Sequence, residues 1–496
     1  MSTSATALHE PASLPSERSS VERGLAFLRR HWALAALLAV GTALRLLVQV
    51  AYQPAILFID SYTYLEQART FDPEGIHPIG YSVLLLSWLL PLGGMTLVTL
   101  VQHLFGVALG VLTYVVLLRR GAPRWLATLA ATPVLVSGYQ LQIEHNIMAE
   151  PLFELLLLGS FAVLLWRPQP RTGTLAAVGL LLGVAGTVRP VAQVLVAAVV
   201  LVGVFAWWRA RSWKGVTALL ACFCLPLVTY ASWHAHVNGE FQLSNAGSGT
   251  LLYARTAPLA ECGELANAPA HIRDLCPDTP VDDRKKQDFY AHHQQSPSRN
   301  TTYPPGTSRR EAMYEFGMTV VRNQPLTVAA AMTGDFLRGF VPARQLAPGD
   351  VSLERWRFST TYPDYTDVSA QRAIRAHGGD GPHVNTTLAH FLRSYQNVGY
   401  APGTLLGVLL LLALAGAAGL GRARRSELRW ECLLPATTGT MLLAAAAMFE
   451  FAWRYQLPAL VLFPLAGGLG ITALLGRGRP APARTQPPAP EPHRPQ

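Results

Sequence analysis

Predominantly apolar runs of about a bilayer's thickness recur ten times along the chain, near 32–51, 95–118, 124–140, 149–166, 174–188, 190–208, 215–235, 402–420, 432–449 and 456–475. Since about 20 apolar residues carry a helix across a hydrocarbon core, this pattern predicts an all-α polytopic membrane protein with about ten transmembrane helices. The run Tyr81 to Leu90 is too short to span and stops at Pro91-Leu92-Gly93-Gly94, which predicts an interfacial or re-entrant helix. Gly173, Gly179, Gly183 and Gly186 recur at small-residue spacing and predict close helix packing there. Between the seventh and eighth runs the chain turns polar over 238–401. That stretch contains Val320-Val321-Arg322-Asn323-Gln324-Pro325 and then an amphipathic stretch to Phe340-Val341-Pro342 that reads as a helix lying in the outer interface, followed by an aromatic and charged piece from Trp356 to Tyr365 and a further helical pattern at about 383–397.

Composition agrees with the pattern. Of 496 residues 50% are hydrophobic and 14% charged, against about 25% charged in an ordinary soluble protein, and the mean hydropathy is +0.25. A net charge of +10 suggests nucleic acid until it is located. Residues 238–401 carry 16 Lys+Arg and 16 Asp+Glu, so the excess, 24 against 14, lies elsewhere. It sits in short connections and tails, and no basic, aromatic stripe for a nucleic acid is present.

Those connections fix an orientation. Arg29-Arg30, Arg119-Arg120-Arg124, Arg167-Arg171, Arg209-Arg211-Lys214, Arg422-Arg424-Arg425-Arg429 and Arg477-Arg479-Arg484 fall on one side when Tyr81–Leu90 is not counted as a span, and basic loops face the cytoplasm. Both termini are then cytoplasmic. The domain plan is a disordered cytoplasmic N-terminus over 1–28, a membrane domain over 29–237 with the first seven helices, an extracytoplasmic segment over 238–401, the last three helices over 402–475, and a disordered tail over 476–496. No apolar signal core follows Met1.

The same orientation puts five connections outside: 52–94, 141–148, the turn at Arg189, the segment 236–401, and the turn from Glu450 to Tyr455. The polar outliers collect in them. Phe58-Ile59-Asp60-Ser61-Tyr62 follows the first run and continues to Ile76-His77-Pro78-Ile79-Gly80-Tyr81. Reading Thr63-Tyr64-Leu65-Glu66 as a capping box starts a helix there and leaves Asp60 in the preceding turn; the alternative is that Asp60 and Ser61 only cap that helix. Glu144 and His145 lie in the second connection as site or solvated loop residues, and Glu150 just past it as a site carboxylate or a first-turn acid. Arg45, inside the outer half of the first run, is costly in lipid and predicts a pocket, with Gln102 and His103 of the next run able to meet it. Cys262 and Cys276 share the external segment, where a disulfide can form, and are expected to hold a loop over 262–310; Cys222, Cys224 and Cys432 lie in apolar runs as small packing residues.

Taken in order, these motifs resemble the GT-C superfamily of integral membrane glycosyltransferases, which includes protein O-mannosyltransferases, lipid A aminoarabinose transferases and actinobacterial arabinofuranosyl- and mannosyltransferases. The similar features are Asp60 after the first helix, His77-Pro78-Ile79-Gly80-Tyr81, Met148-Ala149-Glu150-Pro151, Thr187-Val188-Arg189-Pro190, and Arg454-Tyr455 followed by Pro458. The resemblance implies transfer of a hexose or pentose from a polyprenyl-phosphate donor to an acceptor hydroxyl of a lipid, glycan or protein, on the extracytoplasmic side of the cell membrane. Asp60 is then the base, Arg189, Arg454 and Tyr455 bind the donor phosphate, and His77, Glu150, Arg45, Glu144 and His145 bind substrate or support the site. Several of these families have a second acid after the first helix where this chain has Ser61. No metal ligand set or cofactor is therefore carried over, though a divalent ion is left open. Two other classes stay open: a polytopic transporter, and a ligase or flippase of lipid-linked glycans.

Overall fold

In a computed structural model, which describes residues 26–73, 75–189, 191, 194–244, 248–346, 352–363 and 369–477, each of the ten apolar runs forms a helix. They are α1 (Trp32–Ala51), α3 (Ser87–Arg119), α4 (Arg124–Val136), α6 (Glu150–Leu165), α7 (Thr172–Val188), α8 (Leu195–Ala210), α9 (Trp213–Asn238), α14 (Gly403–Ala418), α15 (Leu428–Ala447) and α16 (Leu457–Leu474). The chain is a helical membrane protein. Among the described residues four stretches, Trp32–Ala51, Ser82–Arg119, Trp213–Asn238 and Trp453–Leu474, are long and apolar enough to cross a bilayer, and a bent pair over Thr386–Val398 and Gly403–Ala418 qualifies as a fifth. Most of the tails expected at 1–28 and 476–496, together with Pro190 and Tyr365, lies outside the described residues.

The short run after Tyr81 forms a wide helical turn, Ser82–Leu86, that leads into α3. Gly93 and Gly94 break the helix there, Gly94 with φ +62°, so a short arm ending near Leu92 is set apart from the apolar stretch 95–119. Close packing concentrates between α7 and α9. A Cβ on Gly179 would meet the Leu219 carbonyl oxygen at 2.2 Å, and one on Gly183 the Phe223 carbonyl oxygen at 2.4 Å, so only glycine lets these backbones approach. Gly173, in the first turn of α7, meets nothing within 4 Å and takes no part in the expected contact. Cys432 is buried as a packing residue, but Cys224 is exposed on α9.

The external segment has a core of its own around Tyr253, Tyr290, Met313 and Phe316. It is built from α10 (Ser248–Thr256), α11 (Arg309–Asn323) and α12 (Pro325–Arg338). Cys262 and Cys276 are disulfide-bonded across a Cα–Cα distance of 5.9 Å. The stretch expected to be loop over 262–310 contains short helical turns at Ala270–Arg273, Gln287–His292 and Pro297–Asn300. Two ties join the segment to the first external loop. A two-residue antiparallel ladder pairs Tyr52 with Val384 and Gln53 with His383, and α13 (Thr386–Val398), opened by an Asn385 cap on the Leu388 amide, packs against α1.

Candidate functional site

The first polar helix, α2 (Ile59–Thr70), has its N-cap at Phe58, five residues earlier than the Thr63-x-x-Glu66 pattern suggests. Ser61 supplies the reason. Its Oγ accepts the Phe58 amide at 2.9 Å, closing the first turn from within and leaving Asp60 inside the helix. Asp60 is therefore neither in a preceding turn nor a cap. Its carboxylate accepts a hydrogen bond from Arg454 Nη1 at 2.7 Å, and its other oxygen lies 3.6 Å from His77 Nε2. Burial works against ionisation here, but the charges of Arg454 and His77 outweigh it and hold the Asp60 carboxyl well below the usual carboxylate range.

Three further elements complete the cluster. Glu150 at the start of α6 is ion-paired with Arg189 at the end of α7, and Glu150 Oε1 is 4.0 Å from Arg454 Nη1. Arg454 sits in a short turn, Trp453–Gln456, just before α16. Its guanidinium lies 5.2–5.4 Å from the ring centres of Tyr455, Trp356 and Phe58 and is 3.4 Å from the Tyr455 hydroxyl. Burial disfavours its charge, but Asp60, Tyr455 and Glu150 more than offset that, so Arg454 stays protonated. Two carboxylates and two guanidiniums thus converge, nearly enclosed: Asp60 and Arg454 are 13% and 12% exposed.

Gly80 explains how two distant motifs come together. A Cβ there would lie 2.3 Å from the Thr187 carbonyl oxygen, so the His-Pro-x-Gly-Tyr and Thr-Val-Arg-Pro segments touch backbone to backbone. The Ile79 amide donates to the Tyr230 hydroxyl at 3.2 Å, fixing the same segment to α9. Tyr64 of α2 packs between His77 and Tyr81 at ring distances of 5.2 and 5.0 Å.

Arg45, Glu144 and His145 also meet, but in a second place. Arg45 Nη2 donates to Glu144 Oε1 at 2.8 Å, His103 Nδ1 is 3.0 Å from Glu144 Oε2, and His103 Nε2 is 3.1 Å from His145 Nδ1. Arg45 Nη1 also donates to the Leu135 carbonyl at 2.8 Å. Glu144 and His145 are fully buried, so the solvated-loop reading does not hold. Burial and the neighbouring His103 push the His145 imidazole down to about 3, so it stays neutral. A Cβ on Gly106 would strike the Glu144 carboxylate, which accounts for that glycine beside a buried ion pair. One hydrogen-bonded link runs toward the first cluster: the Tyr81 hydroxyl donates to Gln102 Oε1 at 2.7 Å, and Gln102 Nε2 donates to the Glu144 and Asn146 carbonyls.

Solved structures offer likenesses to this chain. The S. cerevisiae protein O-mannosyltransferase Pmt1-Pmt2 complex bound to the sugar donor matches at 18% identity and a TM-score of 0.34, covering 45% of this chain and 35% of that one. ArnT from Cupriavidus metallidurans in the apo state matches at 14% identity and 0.34, covering 90% and 78%. Archaeal oligosaccharyltransferase AglB from Archaeoglobus fulgidus, in complex with an inhibitory peptide and a dolichol-phosphate, matches at 12% and 0.37, covering 90% and 50%. The chain spans about a third of the yeast protein it matches. No family model matches the chain, and neither does any curated protein. At these TM-scores the likenesses carry no functional weight.

Sequence reasoning did not single out three residues at the edge of the first cluster. Trp356 comes from the external segment and packs on Phe58 at 4.6 Å between ring centres. Trp453 precedes Arg454, and Arg344 follows α12. Tyr139, in the short helix α5 (Gly138–Glu144) between α4 and α6, receives the Arg344 guanidinium 3.2 Å from its ring centre. No spacing rule distinguishes Arg344 among 40 basic residues.

Proposed function

We propose that the chain is a ten-span glycosyltransferase that moves a sugar from a polyprenyl-phosphate donor to an acceptor hydroxyl outside the cytoplasmic face. The carrying observation is the convergence of Asp60, His77, Glu150, Arg189, Arg454 and Tyr455, from five separate stretches of chain, the last four of these residues at the ends of apolar helices. A carboxylate beside cations at the membrane boundary suits a reaction with a lipid-anchored anionic leaving group. Asp60 takes the acceptor proton as the acceptor oxygen bonds to the anomeric carbon; the bond from that carbon to the phosphate oxygen breaks, and polyprenyl phosphate leaves against Arg454, Arg189 and Tyr455.

The pairing in the structure adds a sequence of events to this reading. An Asp60 carboxylate held by Arg454 is a poor proton acceptor. A donor phosphate that draws Arg454 toward itself relieves that hold and raises the basicity of Asp60, so donor binding prepares the base. Glu150 keeps Arg189 oriented meanwhile. The alternation of basic connections supports cytoplasmic termini and a cluster on the opposite side, with the external segment over 238–401 above it.

The test is incubation of the purified protein with a panel of radiolabelled polyprenyl-phosphate sugars. Turnover or slow hydrolysis of one donor, abolished in Asp60→Asn, is expected. No consumption of any member by folded protein would redirect the reading toward transport or lipid-linked glycan ligation.

A further inference from the structure

The guanidiniums assigned above to the donor phosphate already have carboxylate partners, Arg454 with Asp60 and Arg189 with Glu150. Arg344 does not. Among the described residues Arg344 donates from Nη2 to Gln456 Oε1 at 3.3 Å and hydrogen-bonds Tyr139, and its guanidinium also faces the rings of Tyr139 and Trp453, the latter 5.3 Å away. Gln456 is held in turn by its Nε2 donating to the Gly339 carbonyl at 2.5 Å. A largely enclosed guanidinium with no carboxylate paired to it among the described residues, and with Arg454 on the same cavity, leaves this corner of the cluster with an uncompensated positive charge.

Orphaned donors gather at the same corner. The Arg344 Nε, the Trp356 indole N–H and the Trp453 indole N–H are all buried without an acceptor among the described residues, and the two tryptophans are 4% and 3% exposed. Arg344, Trp356, Trp453 and Arg454 line one small cavity with Tyr139. Arginine and tryptophan side chains only donate, and a buried N–H left unpaired costs about 1–3 kcal/mol. Three such groups on residues that line one cavity call for an oxygen that accepts several hydrogen bonds and carries negative charge. The cavity measures about 10 Å³, room for one oxygen rather than a whole phosphate.

We infer that Arg344, Trp356 and Trp453 form an oxyanion subsite that takes one oxygen of a phosphate group whose body lies against Arg454. This rests on the transferase reading and extends it: the anion bridges Arg454, which must release Asp60, and Arg344, which has nothing to release. Arg344 then supplies the affinity and Arg454 the coupling to the base. Because Arg344 and Trp356 come from the external segment, that segment completes the phosphate site and does not merely cover it.

Equilibrium binding of radiolabelled farnesyl phosphate, and separately of inorganic phosphate, to the full purified chain tests this. Arg344→Met should bind about 10- to 100-fold more weakly, the loss typical of a charged donor. Trp453→Phe and Trp356→Phe, which remove the indole N–H, should each lose a few-fold, and so should 3-benzothienylalanine at either position, which keeps the bicyclic ring and its packing and lacks the N–H, a loss that a packing role would not produce. Loss with farnesyl phosphate alone assigns the oxygen to the lipid headgroup; loss with inorganic phosphate alone assigns it to a free or acceptor-borne phosphate; either upholds the subsite. Wild-type affinity in the folded Trp→Phe double variant overturns it, even if Arg344→Met fails to fold. The two levels separate cleanly. Normal sugar turnover with binding independent of these residues ends the subsite and leaves the transferase, whereas Arg344-dependent binding without turnover of any lipid-phosphate sugar does the reverse.

Discussion

Replacing Asp60 by Asn changes one property while leaving shape and hydrogen bonding nearly intact, so it isolates the carboxylate's chemistry. The structural loss is bounded by the contacts. Arg454 loses its 2.7 Å partner but keeps Glu150 at 4.0 Å and three aromatic rings, and the Asn oxygen still accepts a hydrogen bond. Breaking a buried pair costs about 3–5 kcal/mol when the surviving charge is stranded; here it is not stranded, and about 1–3 kcal/mol is expected. The chemical loss is larger: removing a general base lowers transfer by about 10²–10⁴-fold. Donor affinity should hold or rise, because Arg454 no longer has to leave a carboxylate to meet the phosphate. Single-turnover transfer with saturating labelled donor, beside equilibrium binding of farnesyl phosphate, measures both. Near wild-type turnover in folded Asp60→Asn refutes the assignment and makes Glu150 the next candidate. A fall in affinity matching the fall in turnover would instead reduce Asp60 to a residue that positions Arg454.

Arg454→Lys keeps the charge but loses the planar fork, so donor affinity should drop appreciably in the same binding assay; an unchanged value there and in Arg189→Ala would place the phosphate elsewhere. Arg45→Met strands the fully buried Glu144 carboxylate and should destabilise the fold by about 3–5 kcal/mol, with the Arg45→Met/Glu144→Gln pair recovering part of that in thermal unfolding in detergent. Burial, the charge of Asp288 and that of Asp335 push the Glu450 carboxyl up to about 7 against the pull of Arg454 and Arg355; a raised acid stabilises the fold less as pH climbs from its unfolded value, about 4.3, to about 7, so Glu450→Gln should flatten the unfolding midpoint across that window. A cysteine introduced between 290 and 300 should react with an impermeant reagent on intact cells, and reaction only after permeabilisation would invert the orientation.

How much of this was legible in the sequence follows from which interactions are local. Hydropathy is summed along the chain, so the ten apolar helices, the break at Gly93-Gly94 and the contact at Gly179 and Gly183 were all visible in it. Chemically unusual residues near helix ends were visible too, and His77, Glu150, Arg189 and Arg454 were picked out without knowledge of their partners. Partners are the part that sequence hides. Arg45 and Glu144 lie 99 positions apart, Asp60 and Arg454 394 apart, and nothing local says that the first pair forms a closed buried network while the second forms a nearly enclosed cluster. The start of α2 failed for a related reason: Ser61 caps from inside the helix, and a search for a cap before the helix selects Thr63 instead. Arg344 was the least legible of all, since what distinguishes it is the want of a carboxylate among the described residues, which a sequence cannot display. Among the described residues Arg45, Arg189 and Arg454 are matched to acids and Arg344 is not. A site built to hold an anion must keep at least one cation unmatched, and that requirement directs attention to the residue with the plainest sequence context.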